Sequence, residues 1–133
     1  MHVSVVEEYL DGVLDKLSET GGVSERDPVI LIESESESIA VLDGEIQFSD
    51  GSRLAFLLTV SGYSGYPDWS EYSFHYMDAR GRCIFRYDNA PHRPGLPHFP
   101  NHKHIGPDQT PLGHPKPSVA QVVSEVQDIL ALR

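Results

Sequence analysis

The sequence predicts an α+β fold: an antiparallel sheet of four to five strands flanked by an N-terminal and a C-terminal helix, with a long Pro/His-rich loop. Three observations carry this expectation. Apolar residues recur at helical spacing at both ends of the chain, apolar residues alternate in the middle, and eight of the ten prolines fall between residues 89 and 117. At 133 residues, with 39% hydrophobic and 23% charged content, the chain is expected to be a single α+β domain over residues 1–133, able to bury about two thirds of its unfolded surface.

The first helix is expected over residues 3–18, where Val6, Tyr9, Leu10, Val13, Leu14 and Leu17 share one face. Gly21-Gly22 ends it, and Asp27-Pro28 opens an extended segment leading to the β-rich run Val29–Ile32. The alternating stretch Glu33-Ser34-Glu35-Ser36-Glu37-Ser38 reads as a solvated edge or an exposed loop. Two hairpins follow. Residues 39–48 and 53–60 flank the turn Ser49-Asp50-Gly51-Ser52, and Leu54, Phe56, Leu58 and Val60 fall on one face. Residues 70–77 and 82–88 flank Asp78-Ala79-Arg80-Gly81, a type I turn with glycine in the left-handed position. Closing that turn with Asp78 opposite Arg82 pairs Phe74 with Arg86 and His75 with Phe85, a register that a one-residue slip would exchange. The alternating aromatics Tyr72, Phe74 and Tyr76 are expected to be core.

Residues 89–117 are expected to be a functional loop and linker, because proline at this density excludes helix and interior strand. The part up to Ile105 has Phe99, Leu96 and histidines with which to pack, and the part after Gly106 reads as linker. Ser118-Val119-Ala120-Gln121 is a capping box, opening a helix with Val122, Val126, Ile129 and Leu130 on one face.

Composition restricts the function. No apolar run approaches the roughly 20 residues of a membrane span, and the first residues lack the basic and apolar regions of a secretion signal. The single cysteine, Cys83, excludes an internal disulfide framework and is expected to pack within a strand. A cytoplasmic location, away from membranes, is the expectation. Net charge −10 opposes nucleic-acid binding by the chain as a whole. The distribution is uneven, however. From Arg80 to His104 stand five cations (Arg80, Arg82, Arg86, Arg93 and Lys103) against one acid, Asp88, whereas the remainder carries five cations against 19 acids. Four of the seven histidines, His92, His98, His102 and His104, lie in the same stretch. A local cationic island can hold an anion, since charges beyond about one Debye length are screened.

The segment Arg86-Tyr87-Asp88-Asn89-Ala90-Pro91-His92-Arg93-Pro94, followed by Phe99-Pro100-Asn101-His102-Lys103-His104, resembles the TumE-like family, the proposed toxin component of type II toxin–antitoxin systems. Members carry a similar Arg-aromatic-Asp-Asn-Ala-Pro-His-His-Pro stretch, then Phe-Pro-His-His and a nearby histidine. The chain departs from that pattern where Arg93 and Asn101 stand in place of histidines. His92, His102 and His104 keep it. The resemblance implies a toxin acting on RNA and restrained by a partner antitoxin protein.

Metal-free RNA cleavage needs a base for the 2′-hydroxyl proton, an acid for the leaving oxygen and a cation for the charge on phosphorus. Histidine serves the first two and arginine the third. His92, His102 and His104 are the candidate acid–base residues, so the chain is expected to be an endoribonuclease. Arg86, Arg93 and Lys103 are the candidate phosphate contacts, with Tyr87 as a base-stacking ring. Asp88, Asn89 and Pro91 are expected to structure the loop through Asx-type hydrogen bonds. No cofactor is expected on this reading. The alternatives are a zinc site made by His92, His98, His102 and His104, supporting a metal-dependent hydrolase, and a non-catalytic binding protein. His75, in the middle of a strand, is expected to be structural.

Overall fold

The computed structural model describes residues 5–24, 29–32, 39–62, 67–91 and 94–132. The acidic run 33–38 and the two residues His92 and Arg93 lie outside them. Helix α1 spans Val5–Ser18 and buries Val6, Leu10, Val13 and Leu17, with Tyr9 and Leu14 packed at the margin. The strands are β1 (Val23–Ser24), β2 (Val29–Ile32), β3 (Ile39–Gln47), β4 (Arg53–Ser61), β5 (Asp68–Met77), β6 (Cys83–Asp88), β7 (His102–Ile105) and β8 (Thr110–Gly113). Helix α2 spans Val119–Ala131 and starts at the capping box, where Ser118 and Gln121 exchange side-chain-to-backbone bonds.

All eight strands form one antiparallel sheet in the order β1-β3-β4-β5-β6-β7-β8, with β2 also paired to β3. Strands β1 and β2 pair with opposite ends of β3, so the sheet is seven strands wide. The sequence expectation of four to five strands is therefore too low. The omitted strands are β1, which has two residues, and the β7–β8 hairpin, which lies inside the segment read as loop and linker. Strand β7 is a proline-free island, His102-Lys103-His104-Ile105, within that proline-rich segment. Pro111 is tolerated because β8 is the outermost strand, where a missing N–H costs no ladder bond.

The hydrophobic core lies between one sheet face and the two helices. Leu54, Phe56, Leu58 and Val60 of β4 and Tyr72, Phe74 and Tyr76 of β5 are almost completely buried, against Val6, Leu10, Val122 and Val126 of the helices. A hydrogen bond from Trp69 Nε1 to the Tyr9 hydroxyl (2.8 Å) ties β5 to α1. Among the described residues, no helix is long and apolar enough to cross a membrane.

The β5–β6 register decides which side chains face this core. The turn closes as its sequence suggests: the Asp78 N–H donates to the Arg82 carbonyl (2.9 Å), and Gly81 takes φ +80°. A bulge at Tyr76/Met77 then shifts the register, pairing Tyr76 with Phe85, His75 with Arg86 and Phe74 with Tyr87. The expected pairings of Phe74 with Arg86 and His75 with Phe85 are displaced by that extra residue. As a result Phe85 and Tyr87 face the core, while Arg86 and Asp88 face the opposite side of the sheet.

Segment 94–101 packs onto the β8 end of the sheet. A Cβ at Gly113 would stand 2.9 Å from the Pro97 nitrogen and nearer still to its carbonyl oxygen. Gly113→Ala is thus expected to cost about 1–3 kcal/mol, the usual range for overpacking. A lower midpoint of urea unfolding would report it, and a midpoint equal to that of the unsubstituted protein would contradict the close approach.

Candidate functional site

Cross-strand partners share a face of the sheet, and the registers of β5, β6 and β7 lay out two rows on the face away from the helices. Ser73, Asp88 and His102 form one row, and His75, Arg86 and His104 the other. The spacing His102-Xaa-His104 is the strand period of two, so both imidazoles point to the same side. Their ring centroids are 4.8 Å apart. Both rings are buried, as is Asp88.

Asp88 is the hub of this group. Its Oδ1 accepts the Ala90 N–H (3.1 Å), an Asx-type bond, and lies 2.7 Å from His102 Nε2, a contact off the N–H direction. Its Oδ2 accepts from Arg86 Nε (2.9 Å) and stands 3.7 Å from His104 Nε2. Arg86 Nη2 in turn donates to His104 Nε2 (3.2 Å). On the far side of each ring, Nδ1 donates to a backbone carbonyl: His102 to Pro100 (2.9 Å) and His104 to Gln109 (3.0 Å). A carbonyl only accepts, so both Nδ1 atoms carry hydrogen and both Nε2 atoms are aimed into the cluster. Burial holds the His104 pKa below its ordinary value and so favours the neutral ring, with Nε2 as acceptor. His75 is lowered for the same reason, helped by the Arg86 charge beside it.

The other candidate residues are divided between the two faces. Tyr87 is 4% exposed and faces the helices; its hydroxyl donates to Glu125 of α2 (2.6 Å). Lys103 lies on the same side, bonded to both Glu125 oxygens and 4.7 Å from the centre of the Tyr87 ring. These two residues clamp α2 to the sheet, away from Arg86, so they do not extend one phosphate-binding surface with it. The cationic island is largely paired: Arg82 with Asp78, Arg86 with Asp88 and Lys103 with Glu125. Asn89 fastens the loop to β5, accepting from the Tyr72 N–H and donating to the Ser70 carbonyl (both 3.1 Å). Pro91 is exposed just beyond. His98 is exposed in a turn at φ +66°.

Among the described residues, the group able to hold a metal is Asp88, His102 and His104, whose ligand atoms lie within 4.8 Å of one another. His98 is not part of it, and His92 and Arg93 lie outside the described residues. From the sequence alone, Asp88 is expected only to structure the loop. The signal that places it at the centre is a strand-period His-Xaa-His opposite a strand ending in Arg-Xaa-Asp.

Arg86, Asp88, Asn89 and Pro100 line an open cavity of about 590 Å³. Neither imidazole of the cluster is among its lining residues. A larger cavity of about 760 Å³, beside Trp69 and the start of α2, reaches none of the cluster.

A family model described as Toxin TumE matches residues 14–131, most of the chain and all of the cluster. No curated protein and no solved structure matches the chain.

Proposed function

The chain belongs to the TumE toxin family, and we propose that it is the toxin half of a bacterial toxin–antitoxin pair, acting in the cytoplasm as an endoribonuclease. The observation that carries the catalytic part is the convergence of Arg86, Asp88, His102 and His104 beside an open cavity. It supplies the three groups that metal-free cleavage of RNA requires.

Arg86 is the phosphate contact, since it lines the cavity and its planar fork matches two phosphate oxygens. In the resting arrangement the same guanidinium covers His104 Nε2. A phosphodiester entering the cavity draws Arg86 outward and exposes that lone pair to the 2′-hydroxyl, so His104 is the base. His102 is the acid. Its Nδ1 is committed to the Pro100 carbonyl and its Nε2 lies 2.7 Å from the Asp88 carboxylate, so Nε2 is the atom that passes a proton to the 5′-oxygen. Asp88 orients both Arg86 and His102. An antitoxin that silences this chemistry covers the cavity and offers Arg86 an acidic or phosphate-like group.

The test is incubation of the purified protein with total RNA, with and without EDTA, beside His102→Ala. Cleavage that survives EDTA and is lost in the variant is the expected result. A requirement for added metal replaces this mechanism with a metal-dependent hydrolase. No cleavage under either condition reduces the site to a binding or structural element.

A further inference from the structure

We infer that Asp88, His102 and His104 also form a site for a divalent first-row transition ion, for which the Arg86 guanidinium is the resident competitor. The donor set, two imidazoles and one carboxylate, suits zinc, cobalt, nickel or iron and not the hard cations magnesium and calcium, which take oxygen ligands. Position supports it as much as composition. Two histidines at strand spacing and an aspartate on the neighbouring strand present three ligand atoms within 4.8 Å of one another. Ligands bonded tetrahedrally to one ion at about 2.0–2.2 Å stand about 3.3–3.6 Å apart, so small side-chain rotations bring the three into place.

The surroundings resemble those of a prepared site. Each ring donates its Nδ1–H to a backbone carbonyl, the outer-shell contact that fixes tautomer and orientation in metal-binding histidines. The Ala90 N–H holds Asp88 Oδ1 from behind. Asp88 also lines the cavity, which provides the route in.

Arg86 does not preclude the ion. It bonds Asp88 through Oδ2, leaving Oδ1 on the side of His102, so the Arg86–Asp88 bond persists as an outer contact. The bond from Nη2 to His104 must break, and the Arg86 side chain is 29% exposed, with room to swing toward solvent. A bound ion takes the Nε2 lone pairs that acid–base cleavage uses, so on the proposed function it is an inhibitor. The site itself does not depend on that function.

The measurement is a cobalt(II) titration followed by visible absorption, which reports coordination without any RNA. One equivalent is expected to give a ligand-field spectrum that zinc displaces. His102→Gln and His104→Gln should lose that spectrum, His98→Asn should keep it, and Arg86→Ala should tighten binding by about tenfold, the scale of one hydrogen bond from a charged donor that the ion no longer has to displace. Circular dichroism checks that each variant is folded. Absence of a 1:1 complex, or a complex that survives both histidine variants, overturns the site. Weaker binding in folded Arg86→Ala overturns the competition. In parallel, zinc should suppress RNA cleavage and EDTA restore it. If the protein cleaves no RNA at all, the proposed function fails while the cobalt result still decides the site.

Discussion

Replacing His104 with alanine is expected to slow RNA cleavage by about 10²- to 10⁴-fold, the usual contribution of a positioned acid or base. On the proposed mechanism this ring is the one that stays neutral, because burial lowers its pKa and because its Nδ1–H is given to the Gln109 carbonyl. Only the Nε2 lone pair remains to receive a proton, and Arg86 covers it until phosphate arrives. Arg86→Lys separates the two duties of the guanidinium. It keeps the charge but loses the fork, so its deficit should appear chiefly in KM, whereas that of His104→Ala should appear in kcat. His98→Asn serves as the control, since His98 is exposed and its positive φ suits asparagine. A His104→Ala enzyme that retains cleavage within a few-fold, while folded, removes His104 as the base. Single-turnover rates on a short RNA of defined sequence give the comparison.

The regular part of the fold was legible in the sequence for a simple reason. Where one face meets a core, burial imposes a period: 3.6 in α1 and α2, and two in β3 through β6. The apolar set of α1 and the alternation Leu54, Phe56, Leu58, Val60 are direct records of that constraint. The β7–β8 hairpin leaves no such record. The outward side chains of β7 are the cluster histidines His102 and His104, their β8 partners are Gly113 and Pro111, and prolines surround both strands, so neither alternation nor composition marks the hairpin as strand. The bulge after Tyr76 is equally silent, yet it determines that Tyr87 joins the core while Arg86 and Asp88 do not. The candidate site was therefore legible by residue type and not by face. Side-chain chemistry points to Arg86, His102 and His104, but it points equally to Tyr87 and Lys103, one residue away along their strands. Strand alternation sends those two to Glu125 on the other side of the sheet.

Asp88→Ala is expected to destabilise the protein by about 2–3 kcal/mol, the cost of leaving a backbone donor and a part-buried charged donor without their acceptor. The carboxylate is 9% exposed and serves the Ala90 N–H, Arg86 Nε and His102 Nε2 together. Without it, a guanidinium and an imidazole face each other across a buried space, and one backbone N–H loses its acceptor. Because the loss comes mostly from the orphaned cation rather than from a missing attraction, Arg86→Met/Asp88→Ala should be more stable than Asp88→Ala alone. A purely additive pair of substitutions would make it less stable. Asp88→Asn should fall between the native protein and Asp88→Ala, since its amide oxygen still accepts from Ala90 but offers Arg86 no negative charge. Urea unfolding midpoints at constant slope give all three values. A loss below about 1 kcal/mol for Asp88→Ala would mean that water replaces the carboxylate and that the cluster is not buried in solution. Activity lost in Asp88 variants mixes folding with chemistry. The histidine variants, whose rings end on backbone carbonyls and leave the Arg86–Asp88 pair in place, therefore decide the catalytic reading.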